Sequence, residues 1–198
     1  MKLLLENWRR YLKEVEIQDS MMLSIFDFDE TIAFTTSFAD AFDKETGEFV
    51  KRIYSQEEQD EAKESGLYNL DFTSYDEVQA PMEIKPIVKM LRDRIADPRV
   101  QVMILTARDP NSEDDIQRYL QSLEPPIDTT ELLIKGLAGE NKGSFTLQVL
   151  DRYRNFESVE FLDDSDKNLR HMIAASKERP DVKFDIYKAH EGALTLVN

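Results

Sequence analysis

The sequence predicts an α/β fold in which helices cover both faces of a parallel sheet. Two observations predict it. Near-continuous apolar runs, typical of strands buried on both faces, alternate along most of the chain with amphipathic helical patterns. In addition, 198 residues with 41 % apolar and 33 % charged side chains are enough for one sizeable core. We therefore expect one layered domain, to which additional segments are attached.

The predicted elements follow one another in a regular order. Short apolar runs, of which "VQVMILTA" is typical, indicate strands, and apolar residues at intervals of three or four indicate helices between them. The strands are expected at residues 21 to 28, 100 to 107, 131 to 137, 158 to 164 and 182 to 187. The helices are expected at residues 86 to 97, 112 to 123, 144 to 155 and 166 to 178. This order predicts a three-layer domain around a parallel sheet of about five strands.

The first 19 residues precede this alternation. Leu4, Trp8, Tyr11 and Leu12 share one helical face, and basic residues lie between them, so an amphipathic helix is expected at residues 1 to 19. One interpretation is a helix that docks on the surface of the domain. The other is a detachable helix that binds a partner.

Residues 33 to 84 interrupt the alternation between the first strand and its helix. This segment is polar and rich in Asp and Glu, with Phe and Tyr distributed along it and a helical pattern at "SQEEQDEAKESG". Because about 50 residues without structure are unusual inside a compact domain, we expect a small inserted cap or lid. The core domain then comprises residues 20 to 32 and 85 to 198.

Composition disfavours several kinds of site and partner. The chain has no cysteine and only two histidines, so thiolate and histidine metal sites are disfavoured, and a bound metal should be a hard cation such as Mg²⁺ held by oxygens. A formal charge of -15 disfavours nucleic acid as a partner without excluding it. No apolar stretch approaches the roughly 20 residues that span a membrane, and the first residues do not resemble a secretion signal. We expect a cytoplasmic protein; the oligomeric state stays open.

Polar and charged residues lie at the ends of the predicted strands. Because ligands of parallel sheets bind beyond the carboxyl ends of the strands, these residues are expected to converge. They are Asp27 and Asp29 at the end of the first strand, Thr106 and Arg108 at the end of the second, Lys142 in the loop "GLAGENKG" after the third, and Asp163 and Asp164 at the end of the fourth; Ala107 lies between Thr106 and Arg108. The sequence therefore predicts one site at this edge of the sheet.

Each of these residue types has a role if the substrate is a phosphate monoester. Carboxylates from two strands can hold Mg²⁺, which neutralises charge during phosphoryl transfer. One carboxylate can attack phosphorus and form an aspartyl-phosphate, and a second can exchange protons with the leaving group and with water. A threonine hydroxyl, backbone N–H groups and a lysine can stabilise the phosphate oxygens.

Four motifs in order resemble those of the haloacid dehalogenase-like (HAD) hydrolase superfamily. "FDFDETI" matches its DxDxT motif, "ILTAR" is similar to its second motif, Lys142 fits its third, and "FLDDSDKN" resembles its fourth. The resemblance extends from residue 21 to about residue 187 and implies a Rossmann-like HAD core. The inserted segment corresponds to the position of a C1 cap, and the layout is similar to small HAD-type phosphatases of phage genomes.

The resemblance implies a Mg²⁺-dependent phosphatase or phosphotransferase, and the acid at position 29 favours the phosphatase. Because a lid of about 50 residues suits a small ligand, the leading hypothesis for the substrate is a phosphorylated small metabolite or a nucleotide. Asp27 would be the nucleophile and a metal ligand, and Asp29 the general acid and base, with its backbone carbonyl on the metal. Thr106 and Lys142 would bind phosphate, with Ala107 and Arg108 beside them. Asp163 would be the main metal ligand of the fourth motif, supported by Asp164. Glu30 is expected to face solvent.

Some assignments keep an alternative at this point. Lys135 competes with Lys142 as the functional lysine. Arg108 could touch the substrate, or form a salt bridge with Asp109 or with the acidic cap. Asp166 and Asn168 could orient the metal ligands, or only favour the start of a helix.

The function also has alternatives. Within the enzyme class, the substrate could be a phosphorylated nucleic-acid end or a phosphoprotein. In a different class, the chain could be a non-catalytic HAD-fold protein that docks through its N-terminal helix. A phospho-receiver domain uses similar residues, but it carries its phosphoacceptor on the third strand, so the order here disfavours it.

Overall fold

A computed structural model describes residues 21–153 and 156–197, without the side chains of residues 56 and 57. The predicted helix at residues 1 to 19 lies outside the described residues. Within these residues the chain forms a three-layer α/β core and an inserted cap, which confirms the predicted fold class. None of the helices in this part of the chain is long and apolar enough to cross a membrane.

The core sheet of the described residues has six strands, which are β1 Met21–Phe26, β7 Val100–Thr106, β8 Leu133–Gly136, β9 Phe156–Asp163, β10 Lys183–His190 and β11 Ala193–Leu196. Across the sheet they are ordered β11-β10-β9-β1-β7-β8. Five of them run parallel, and β11 pairs with β10 in the antiparallel direction. Because β1 lies between β9 and β7, the residues that follow these three strands are neighbours at one edge.

Helices cover the two faces of this sheet in pairs. On one face, α2 (Lys85–Ile95) and α3 (Glu113–Ser122) pack through Leu91 and Leu120 onto buried strand residues. On the other face, α4 (Lys142–Arg152) and α5 (Asp166–Glu178) do so through Leu150 and Met172. Strands enclosed in this way have few polar positions, which is why the sequence shows them as apolar runs.

The last strand, β11, is the main difference from the predicted sheet. It forms a hairpin with β10 through a two-residue turn at Glu191 and Gly192, whose φ angles are 48° and 83°. Two positive φ values are typical of the turn type that matches strand twist. Glutamate is not one of the residues that usually indicate such a turn, so the sequence pattern did not predict the hairpin.

The cap occupies the segment between β1 and α2. Two short strands, β2 (Ala33–Phe34) and β6 (Met82–Glu83), pair at its base and join it to the core. Beyond them lies an antiparallel sheet of β3 (Ala39–Asp43), β4 (Phe49–Ile53) and β5 (Tyr68–Asp71). Helix α1 (Gln56–Ser65) covers it and begins where Ser55 Oγ accepts a hydrogen bond from the Glu58 amide.

Candidate active site

Three carboxylates meet at the carboxyl edge of the central strands. Asp27 directly follows β1, Asp163 ends β9 and Asp164 comes next. The Asp27 amide donates to the Leu162 carbonyl at 2.9 Å, which holds the two strand ends side by side. One oxygen from each carboxylate lies within 4.8 Å of the other two. Asp27 and Asp163 are buried and Asp164 is half-buried, so water screens their charges poorly.

Lys142 lies between two of these carboxylates. Its Nζ donates to Asp27 Oδ1 at 2.5 Å and to Asp163 Oδ2 at 2.7 Å, and the whole side chain is buried. Burial alone would lower the pKa of Lys142, but Asp163 and Asp27 outweigh that effect, so the net pKa is raised and the ammonium stays charged. Lys135 forms a separate ion pair with Glu113 at 2.9 Å. Of the two predicted alternatives, Lys142 therefore belongs to the carboxylate cluster.

The start of helix α4 puts Lys142 in this position. The sequence pattern predicted a helix from residue 144 with Lys142 in the preceding loop, whereas α4 begins at Lys142 itself. The side chain of Asn141 caps the helix by accepting a hydrogen bond from the Ser144 amide at 3.0 Å. The residue after Lys142, Gly143, lies against the His171 carbonyl of α5. A Cβ on residue 143 would stand only 2.3 Å from that carbonyl oxygen. Glycine at 143 thus allows the close approach of α4 to α5.

One ammonium does not neutralise three carboxylates. Burial raises the pKa of Asp27 well above its ordinary value, against the lowering effect of Lys142, and Asp163, Asp164 and Asp29 raise it further. Burial, followed by the charges of Asp163 and Glu30, raises the pKa of Asp164 to about 7. The cluster is therefore short of positive charge.

Asp163 is oriented by a neighbouring loop and helix. Its Oδ1 accepts hydrogen bonds from the Ser165 amide at 2.9 Å and from Asn168 Nδ2 at 3.1 Å, and its Oδ2 accepts a second contact from Asn168 at 3.1 Å. Asp166 points elsewhere, because it forms an ion pair with Lys188 at 2.6 Å. Asn168 thus holds a carboxylate of the cluster, whereas Asp166 stabilises the exposed start of α5.

Backbone hydrogen bonds join the loop after β7 to the loop after β8, beside the carboxylate cluster. The Thr106 carbonyl accepts a hydrogen bond from the Leu137 amide at 3.0 Å, the Arg108 carbonyl accepts one from Ala138 at 2.8 Å, and the Ala107 carbonyl accepts one from Gly139 at 2.9 Å. Thr106 is buried, and its Oγ1 accepts a hydrogen bond from the Arg108 amide at 3.2 Å. Ala107 is exposed. The two loops therefore form one backbone unit that leads from Thr106 to the start of α4.

The side chain of Asp29 turns away from the three carboxylates toward Arg108. The guanidinium donates to Asp29 Oδ2 at 2.8 Å through Nε and to Asp29 Oδ1 at 2.7 Å through Nη2. Asp29 Oδ1 also accepts a hydrogen bond from Thr35 Oγ1 at 2.9 Å. The ion pair of Arg108 is with Asp29, which was not among the predicted partners; its contacts with the cap are to backbone carbonyls and hydroxyls rather than to acidic side chains, and the described residues show no ion pair with Asp109.

The cap residues that contact Arg108 are functional candidates that the sequence reading missed. Its Nη1 donates to the carbonyls of Tyr75 and Glu77, each at 2.7 Å. Its Nη2 donates to Ser37 Oγ at 3.0 Å. Backbone carbonyls are present at every position, so no residue type in the cap could have signalled these contacts. Glu30 is exposed, as expected, and adopts a left-handed backbone conformation with φ 55°.

The cluster of Asp27, Asp163 and Asp164 fits a bound Mg²⁺. Its donor atoms are carboxylate oxygens, which hard divalent cations prefer, and they come from two adjacent strand ends. The raised pKa values of Asp27 and Asp164 reflect a deficit of positive charge around them, which a divalent cation would remove. The side chain of Asp29 is not part of this set, and the resemblance assigns only its backbone carbonyl to the metal.

No protein-family model matches the sequence, and no curated protein matches it. Two solved structures have a similar fold. One is the HAD domain of the effector protein Lem4 from Legionella pneumophila, with 12 % identity over 87 % of this chain and 88 % of that chain and a TM-score of 0.50. The other is the Legionella pneumophila effector Ceg4, with 18 % identity over 90 % of this chain and 91 % of that chain and a TM-score of 0.50. The likeness shows a HAD-like fold.

Proposed function

We propose that this HAD-fold protein is a Mg²⁺-dependent phosphatase that hydrolyses a phosphate monoester through an aspartyl-phosphate intermediate. The observation that carries the proposal is the cluster at the carboxyl edge of β1 and β9, in which Lys142 contacts both Asp27 and Asp163 beside Asp164. A buried set of acids with a single lysine is unfavourable for a purely structural role. It is suited to a divalent cation, which would balance its excess negative charge and would in turn attract a phosphate group.

Asp27, Asp163 and Asp164 would hold the metal. Mg²⁺ bound there would attract the phosphate group and offset the negative charge that develops during transfer. The other contributions come from the side chains of this chain.

In the first step, a carboxylate oxygen of Asp27 forms a bond to phosphorus while the bond from phosphorus to the leaving oxygen breaks. Asp29 gives its proton to that leaving oxygen. In the second step, water attacks phosphorus and gives a proton to Asp29, and the bond to Asp27 breaks, which releases inorganic phosphate. Lys142 and the hydroxyl of Thr106 stabilise the phosphate oxygens in both steps.

A phosphorylated small metabolite or a nucleotide is the substrate class we favour. The cap joins the core beside Asp29, and a cap of this kind can enclose a small ligand and exclude water. A phosphorylated nucleic-acid end is disfavoured by the formal charge of -15. A phosphoprotein would need a groove that stays open beside the cap. We expect a cytoplasmic enzyme without a membrane partner.

The proposal is tested with a generic aryl phosphate. We expect hydrolysis that requires Mg²⁺, disappears in excess EDTA and returns when Mg²⁺ is restored. The Asp27→Asn variant is the matched control for contaminating phosphatases. Equal rates for the wild type and this variant, across several metals and pH values, would favour a non-catalytic HAD-fold protein and would contradict the proposal.

The affinity for Mg²⁺ should depend on pH around neutrality. Because the pKa of Asp164 is raised to about 7, this carboxyl holds a proton at lower pH in the metal-free protein, and a cation must displace that proton. Binding should therefore weaken as the pH falls through 7 and should release protons. Calorimetry at pH 6 and pH 8, in buffers of different ionisation enthalpy, measures both effects. The Asp164→Asn variant should show a smaller change between the two pH values, and an unchanged difference would contradict this account.

A further inference from the structure

Arg108 is a buried cation that does not belong to the carboxylate cluster. It is 3 % exposed, and every N–H of its guanidinium has an acceptor. Nε binds Asp29, Nη1 binds two cap carbonyls, and Nη2 is shared among Asp29, Thr35 and Ser37. A buried charge is tolerated when it is paired in this way.

These contacts connect two parts of the molecule. Asp29 belongs to the loop that follows β1, whereas the carbonyls of Tyr75 and Glu77 lie in and just after a short 3-10 helix of the cap, Thr73–Asp76. The guanidinium also lies near two rings, with its carbon 5.5 Å from the centre of Phe28 and 5.1 Å from that of Tyr75. The core loop and the cap are thus joined through one side chain.

The pairing also distinguishes the two oxygens of Asp29. Oδ1 accepts from both Thr35 and Arg108, whereas Oδ2 accepts from Arg108 Nε alone. A carboxylate oxygen has about two lone pairs, so Oδ2 keeps one for a proton. The two hydrogen bonds from Arg108 fix the plane of the Asp29 carboxylate and therefore the direction of that lone pair.

We propose that Arg108 is a positioning residue that orients Asp29 for proton transfer through Oδ2. It also couples this orientation to the packing of cap residues 73 to 77 against the core. The inference rests on the proposed function, because it assumes that Asp29 is the general acid and base. It replaces the sequence-based interpretation of Arg108 as a phosphate ligand. For Arg108 to bind phosphate instead, the guanidinium would have to give up acceptors that it already holds, at the cost of leaving carbonyls of the cap unpaired.

A double-mutant cycle between Arg108→Ala and Asp29→Asn tests the proposal on the full chain. Loss of a general acid costs about 10²- to 10⁴-fold in rate, so we expect Arg108→Ala to lower kcat by at least about tenfold. In the Asp29→Asn background the same change should cost less than about twofold, because the group that it positions is gone. Arg118→Ala, which alters an arginine on α3 whose side chain is 73 % exposed, is the matched control and should keep its activity.

Inhibition by orthovanadate separates positioning from phosphate binding. We expect the inhibition constant to stay within about twofold of the wild-type value in Arg108→Ala, whereas loss of a charged phosphate contact should raise it about tenfold or more. Arg108→Lys keeps the charge in case the alanine variant fails to fold. It should show the same loss of kcat, because an ammonium cannot form the two-pronged contact with Asp29. Additive losses in the cycle, or a tenfold weaker inhibition, would overturn the proposal.

Amide hydrogen exchange tests the coupling without any substrate. In Arg108→Lys, exchange should increase in residues 73 to 77 and stay unchanged in β1 and β9, because the weakened contacts are those with the cap and with Asp29, and neither strand takes part in them. Unchanged exchange in residues 73 to 77 would overturn the coupling. A wild-type protein without any hydrolysis would contradict the proposed function and, with it, the role of Arg108 in proton transfer, whereas the exchange experiment still decides the coupling to the cap independently.

Discussion

Asp27→Asn is expected to lower kcat for an aryl phosphate on the order of 10⁴-fold or more, because it removes the carboxylate that we propose as the nucleophile. The asparagine amide has nearly the same shape as the carboxyl group, so the packing after β1 should persist. Asp27 is buried and its pKa is raised by that burial and by its acidic neighbours, so a neutral side chain relieves repulsion in the fold. Steady-state kinetics at saturating Mg²⁺, together with thermal unfolding, measure both properties.

Glu30→Gln is the matched control for this experiment. Glu30 is an exposed acid three residues further along the chain, and its charge contributes to the raised pKa of Asp164 without joining the cluster. Its replacement should leave turnover within about threefold of the wild type, as for a surface substitution away from the reacting atoms. Comparable losses in Asp27→Asn and Glu30→Gln would contradict the assignment of Asp27 as the nucleophile.

Lys142→Met is expected to reduce stability as well as activity. In EDTA the substitution leaves Asp27, Asp163 and Asp164 with no cation between them, and breaking a buried ion pair costs about 3–5 kcal/mol in the free energy of unfolding. Mg²⁺ should restore part of this loss, since it supplies the missing positive charge. Turnover should fall steeply, because the phosphate group would lose the ammonium contact that we propose for Lys142. Urea unfolding with and without Mg²⁺, followed by kinetics, measures these effects.

Lys135→Met makes the same chemical change outside the cluster. Lys135 forms an ion pair with Glu113, with both side chains about one fifth exposed, and Glu113 keeps a hydrogen bond from the Gly136 amide. We expect a cost of about 1 kcal/mol or less and little change in kcat. A larger loss of activity in Lys135→Met than in Lys142→Met would contradict this assignment and would make Lys135 the functional lysine.

The sequence pattern was informative where structure depends on local properties. Apolar runs located β1, β7 and β9, because strands enclosed on both faces admit few polar residues. The same runs showed where acids follow a strand, so Asp27 and Asp163 could be placed at one edge from the rule for parallel sheets. The hairpin of β10 and β11 was missed, because its turn has Glu191 before Gly192 where Asn, Asp or Gly is usual.

The sequence allowed a contact between Arg108 and the cap, but it could not predict which residues Arg108 contacts. Arg108 follows β7, whereas its partners Asp29, Ser37 and Tyr75 lie more than 30 positions away along the chain. Which of them it reaches depends on how the cap folds back on the core. Two of its contacts are to backbone carbonyls, which have no sequence signature.

By itself, the sequence determined the α/β class, the order of the core elements and the acids at the strand ends, because each follows from periodicity and from the direction of parallel strands. Only the tertiary structure decided that Lys142 rather than Lys135 joins the acids, that Asn168 holds Asp163, and that Arg108 faces Asp29 and the cap. These choices depend on where helix α4 begins and on how separate segments pack. They are fixed by contacts between distant residues, which local patterns do not encode.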